Sequence, residues 1–236
     1  LTSFYHHLGT IRDELSERGW SDEMEAIFPV RTIAWTPEAF VGEALPVENA
    51  AYASNGLNLF LLFEDGNLTV PLGAHSGVVR HEFGHAFFAV LTPGFTEALL
   101  EGEAIVEDSR AANEGFADIV AELTLDDVRA IPFDERNPLL DHSSADYDGD
   151  PYALGVVFAA FVWDMRLVTN DPDDALVRSV DALVAWYEGT LAETLPRESL
   201  SYAITLYDAF EPVVPQPVLC ERFRARFPDV EARCAE

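Results

Sequence analysis

The chain has 236 residues, of which 49% are hydrophobic, enough for a folded core and too apolar for a disordered segment. Its 42 acidic residues against 14 basic ones give a formal net charge of −28. Such a surface repels phosphate backbones and anionic lipid, which excludes nucleic acid and membrane as main partners.

Phe4, Leu8, Ile11 and Leu15 recur at helical spacing and predict an amphipathic helix over 3–18. Val30–Trp35 and Asn49–Ala53 read as short strands. Leu57–Glu64 (LNLFLLFE) reads as a strand apolar on both faces, and Asp65-Gly66 turns it into Leu68–Pro71. Ser76–Leu91 reads as a helix ended by Pro93-Gly94. Further helical patterns run over 95–107, 110–125, 152–168, 173–190 and 197–210, with a short last helix at 217–227. Sheet first and helices after predicts an α+β fold. The expected lobes are 1–92, with a mixed sheet and the Ser76–Leu91 helix, and a mainly helical 93–236. The longest apolar run, Tyr152–Trp163, falls short of the roughly 17–25 residues that cross a bilayer. A start at Leu1 fits a processed or trimmed chain. Cys220 and Cys234 are expected to pair, which suits an oxidising, extracellular compartment.

The chemistry concentrates at His81-Glu82-Phe83-Gly84-His85, an H-E-x-x-H sequence within the Ser76–Leu91 helix. Histidines four apart on a helix share one face, one turn apart, and two imidazoles so placed can share a zinc ion. The glutamate after the first histidine then lies where a water needs a base. A catalytic zinc takes a third protein ligand. Phe88 and Leu91 stand where the metzincin extension has glycine and histidine, so the third ligand is expected to be a later carboxylate. Of Glu97, Glu101, Glu103, Glu107 and Glu114, the last stands out. Glu114 and Asp118 share a helix face among Phe116, Ala117, Ile119 and Val120, and buried carboxylates need partners. Glu114 would bind the metal, and Asp118 would accept the N–H of a metal-bound histidine.

H-E-x-x-H followed some 28 residues later by N-E-x-x-x-D (Asn113 to Asp118) resembles the gluzincin metallopeptidases, both thermolysin-like and fungalysin-like. Asn49-Ala50-Ala51-Tyr52, Leu57–Phe63 and Glu64-Asp65-Gly66 resemble that family's edge strand, partner strand and turn. Ser76–His85 is similar to its motif helix, and Ala153–Arg166 to a later fungalysin helix. The likeness covers about residues 45–125 and, less closely, 150–168. It implies a zincin-like fold and a monomeric, secreted zinc endopeptidase acting through a metal-activated water. His81, His85 and Glu114 would be zinc ligands, Glu82 the general base, and Asp118 the partner of His81. Asn49 and Ala50 would bind the substrate backbone as an added strand.

The sequence also departs from that family. Tyr152-Ala153-Leu154-Gly155 stands where H-x-x-G would supply an oxyanion-stabilising histidine, and Ile105 stands near an expected tyrosine. Tyr152 and His142 are the candidate replacements. The departure implies an alternative: a catalytically weakened relative that keeps zinc and serves as a protein-binding module. The G-x-M-E-N strand of gluzincin aminopeptidases is absent. In the acidic loop 130–151, Asp146, Asp148 and Asp150 alternate as oxygen ligands for calcium would.

Overall fold

The structure is a computed structural model that describes residues 2–34, 50–53, 59–62, 72–95, 105–132, 134–196, 198–230 and 234. Eight helices are described: α1 (Thr2–Glu17), α2 (Ser21–Ile27), α3 (Ser76–Leu91), α4 (Ile105–Leu125), α5 (Pro151–Thr169), α6 (Pro172–Leu191), α7 (Ser199–Phe210) and α8 (Gln216–Arg226). Three strands, β1 (Arg31–Ala34), β2 (Ala50–Ala53) and β3 (Leu59–Leu62), are four residues each. The strand order is β1-β3-β2, with β1 parallel and β2 antiparallel to β3.

The expected α+β architecture is corrected: the described residues are predominantly helical, with helices of up to 21 residues. The apolar runs between residues 30 and 64 signalled strands, and the described strands β1, β2 and β3 are a small share of the described residues. Helix-on-helix packing builds the core instead. Among the described residues the larger of two hydrophobic clusters runs from Phe4 on α1 to Cys234. The hairpin expected at 65–71 lies outside the described residues.

The α1 stripe forms as its spacing predicts, with Phe4, Leu8, Ile11 and Leu15 all buried. Arg80 on α3 is buried and reaches Glu14 on α1 through two bonds, Nη1 to Oε2 at 2.6 Å and Nη2 to Oε1 at 3.1 Å. This pair fixes α1 against the helix that carries the two histidines. α4 is the central element, packed on α3 and α5. Its Phe116, Ala117, Ile119, Val120 and Ala121 are buried, so apolar neighbours surround the helix on most sides.

Two glycine positions let these three helices approach closely. A Cβ at Gly84 on α3 would lie 2.6 Å from the Ala117 Cα of α4. A Cβ at Gly115 on α4 would lie 2.6 Å from the Gly155 carbonyl oxygen of α5. Gly84 therefore brings the His81–His85 turn against the Glu114–Asp118 turn, and any larger residue would push the two apart.

α5 starts at Pro151, where Asp150 caps it by accepting the Tyr152 N–H at 3.0 Å. It ends at Asn170, which adopts the left-handed conformation with φ 55°. α5 has the length and composition of a membrane span, but most of it is buried inside this fold as the partner of α4. Phe158 and Phe161 on α5 meet Tyr202, Phe210, Phe223 and Phe227 in an aromatic cluster that docks α7 and α8. Cys220 and Cys234 form a disulfide that fastens the C-terminal tail to α8.

Candidate metal centre

His81 and His85 lie one turn apart on α3, and both point towards α4 because Gly84 brings the two helices together. Their Nε2 atoms are 3.1 Å apart. Glu114 Oε2, from α4, lies 3.5 Å from His81 Nε2 and 3.8 Å from His85 Nε2. His81 and Glu114 are buried and His85 is partly buried.

The other ring nitrogens fix the tautomers. His81 Nδ1–H donates to Asp118 Oδ1 at 2.8 Å, and Asp118 is fully buried. His85 Nδ1–H donates to Asn113 Oδ1 at 2.9 Å. With both Nδ1 atoms donating, two Nε2 lone pairs and a carboxylate oxygen converge on one point. Without metal, a proton on one Nε2 bridges the two rings, and a metal ion held there would replace it. Ligands about 2.0–2.1 Å from a tetrahedral ion sit about 3.3–3.4 Å from one another, close to the separations found here. Among the described residues, His81, His85 and Glu114 are the one group whose ligand atoms all fall within 4.8 Å of each other. This buried group could hold a metal ion.

Arg136, on a short 3-10 turn at Asp134–Arg136, closes the far side. Its Nη2 donates to Glu114 Oε2 at 3.1 Å and its Nε to Asp118 Oδ2 at 3.1 Å. Burial pushes the Glu114 carboxyl up, but His85, His81 and Arg136 outweigh that and hold it well below the usual carboxylate range. Burial and Arg136 push His81 down, but the bond to Asp118 and the nearby Glu114 raise it to about 9.

A raised imidazole in the metal-free protein has a defined consequence. Proton binding by His81 stabilises the fold fully below about pH 6.5, and that contribution is lost as pH rises through about 9. A metal ion must displace the same proton. Metal affinity is therefore expected to climb between pH 6.5 and 9 while the stability of the chelated protein falls. Zinc titration and thermal unfolding at several pH values check both trends, and a flat affinity across this interval would contradict them.

Glu82 is buried beside His81, and its Oε2 has no hydrogen-bond partner among the described residues. Burial pushes its carboxyl up, against the opposing pull of His85 and His81. An orphaned carboxylate oxygen with a raised pKa is suited to accepting and releasing a proton.

The remaining expected residues fall elsewhere. Tyr152 is exposed, its OH accepts from Arg110 Nη2 at 3.4 Å, and its ring packs between Arg110 and Arg136. It touches the centre's surroundings through Arg136 rather than the ligand atoms. His142 donates from Nε2 to the Asn137 carbonyl oxygen at 2.9 Å, and burial pushes it below its ordinary value. Asn49 lies outside the described residues, and Ala50 begins β2. The carboxylates of Asp146, Asp148 and Asp150, expected as oxygen ligands for calcium, are not drawn together into one close group among the described residues. All three are exposed, and Asp150 serves as the α5 cap.

Two residues that bond the ligand group carry no assignment in the sequence reading. Asn113 stands in the N-E-x-x-x-D stretch, but its bond to His85 depends on how α3 crosses α4. Arg136 lies in a loop noted for its acids. The need of two buried carboxylates for a cation was legible, but not which of the arginines would supply it. Compared with family models and with curated proteins, the chain matches none.

Proposed function

We propose that the protein is a zinc-dependent endopeptidase of gluzincin type, secreted and monomeric, with His81, His85 and Glu114 holding the metal. The observation that carries this reading is the convergence of two Nε2 atoms and Glu114 Oε2 beside an unpartnered Glu82. A zinc ion held there acidifies water and polarises a scissile carbonyl. Asp118 and Asn113 keep both imidazoles in the tautomer that presents Nε2 to the ion. Glu82 takes the proton of the attacking water at its free carboxylate oxygen and delivers it to the leaving amine. Burial keeps bulk water from competing for that proton and strengthens the electrostatics of the centre. β2 supports the proposed substrate path: it lies against α3, is paired to β3 on one side, and has no further strand beside it among the described residues. A peptide could add there as an antiparallel strand.

A second reading is favoured by one observation. The His142 Nε2–H is committed to the Asn137 carbonyl oxygen, and Tyr152 meets the ligand group through Arg136 rather than at its ligand atoms, so an oxyanion donor next to the ligands is not in place. A zinc-stabilised protein-binding module fits that arrangement. Hydrolysis of a mixed peptide library, with and without a chelator, separates the two readings. The peptidase reading expects cleavage that stops on chelation and returns with added zinc. Bound zinc with no chelator-sensitive cleavage would favour the binding module.

A further inference from the structure

A cavity of about 310 Å³ opens beside the metal centre, between the Arg136 turn, the loop 141–150 and the first turns of α5. We infer that this cavity is a subsite for a cationic side chain, lysine or arginine, of a peptide substrate. The inference rests on the peptidase reading and adds a substrate class to it.

Position comes first. Arg136 and Tyr152 form one wall, and Arg136 bonds Glu114 at 3.1 Å, so the cavity lies one side chain from the ligand group. Its volume is at the lower end of the range for ligand pockets, which suits one side chain rather than a large ligand. The floor is apolar: Val156 and Val157, both buried, belong to the α5 core.

The rim sets the charge. Glu135, Asp141 and Asp146 line the cavity, are exposed, and form no ion pair among the described residues. Two lining groups carry or can carry positive charge, and neither cancels that of the rim. The Arg136 guanidinium is committed to Glu114 and Asp118. His142 donates to the Asn137 carbonyl oxygen, and its burial favours the neutral ring. An apolar floor beneath unneutralised carboxylates matches a side chain with a hydrocarbon stem and a cationic head. An anionic side chain would be repelled, and an apolar one would strip water from the carboxylates without replacing it.

The rim is held in place without a ligand. Arg226 on α8 pairs with Asp164 on α5 at 2.9 Å. Its other nitrogens donate to the carbonyl oxygens of Pro138, Leu140 and His142. The stretch leading into Asp141 is thus tied to two core helices, and little ordering remains to be done on binding.

The test uses zinc-loaded protein and peptides that differ only in lysine, norleucine or glutamate at each position around the cleaved bond. At one position lysine should exceed norleucine in kcat/KM by about fivefold or more, with glutamate worst. The preference should fall towards unity in Asp141→Asn/Asp146→Asn. It should persist in Asp181→Asn/Glu188→Gln, which removes the same charge from the exposed face of α6. No lysine preference at any position, or equal loss in both variants, would overturn the inference, the second by showing only a long-range field. Equilibrium binding of the same peptides to Glu82→Gln keeps the result separate from catalysis. A lysine peptide binding about fivefold tighter than its norleucine twin supports the subsite even if no peptide is cleaved, in which case only the peptidase reading fails. Equal binding overturns the subsite.

Discussion

Glu82→Gln is expected to slow peptide hydrolysis by about 10²–10⁴-fold while leaving zinc content unchanged. Glutamine has the shape of the carboxyl it replaces and does not take up a proton at neutral pH. Burial already pushes Glu82 towards its neutral form in the metal-free protein, so a neutral amide is not foreign to that site. Glu82 is not among the three converging ligands, which is why metal content should hold. Steady-state kinetics with metal analysis on the same sample reads both quantities. A variant that cleaves at the parental rate would remove Glu82 from the role of base.

Asp118→Ala is expected to act differently, on metal affinity and on stability. Asp118 is fully buried between His81 Nδ1 and Arg136 Nε. Without it, His81 loses the acceptor that fixes its tautomer, and zinc affinity should fall about 10–100-fold. The Arg136 guanidinium also loses one of its two carboxylate partners in a largely buried site. Breaking a buried pair in this way typically costs about 3–5 kcal/mol, so the metal-free variant should unfold at distinctly lower urea concentration. Asp118→Asn keeps an acceptor for His81 but removes the charge that faces Arg136. It should therefore recover more of the zinc affinity than of the stability. Competition against a chromophoric chelator measures affinity, and urea titration of the chelated protein measures stability. Parental affinity in Asp118→Ala would show that the His81 bond plays no part in presenting Nε2.

How much of this was legible in the sequence follows from the range of each interaction. His81, Glu82 and His85 are set by helical spacing within one turn, which a sequence shows directly. Glu114 and Asp118 could be picked out because two carboxylates four apart on an apolar helix need partners. The α1 stripe was legible for the same reason, since Phe4, Leu8, Ile11 and Leu15 repeat at the period of the helix they form. Arg136 and Asn113 were not, because their bonds depend on the crossing of α3 over α4 and on the path of a loop. The fold class was misread for a related reason. Short apolar runs such as Leu57–Glu64 announce strands, but the balance of the fold is set by the long helices after residue 75, whose packing on one another a local pattern does not show. The alternating aspartates at 146, 148 and 150 were read from spacing alone, which does not show what each carboxylate does in the fold. One caps a helix, which a spacing pattern does not reveal.

The convergence of His81, His85 and Glu114 on one ion underlies both variants and the peptidase reading. Zinc-edge X-ray absorption on the loaded protein, compared with His85→Ala and Glu114→Ala, measures that convergence most directly. The expected spectrum has two imidazole nitrogens and a carboxylate oxygen at about 2.0–2.2 Å, losing one imidazole in the first variant and the carboxylate in the second. A spectrum without imidazole scattering, or one unchanged in both variants, would contradict it.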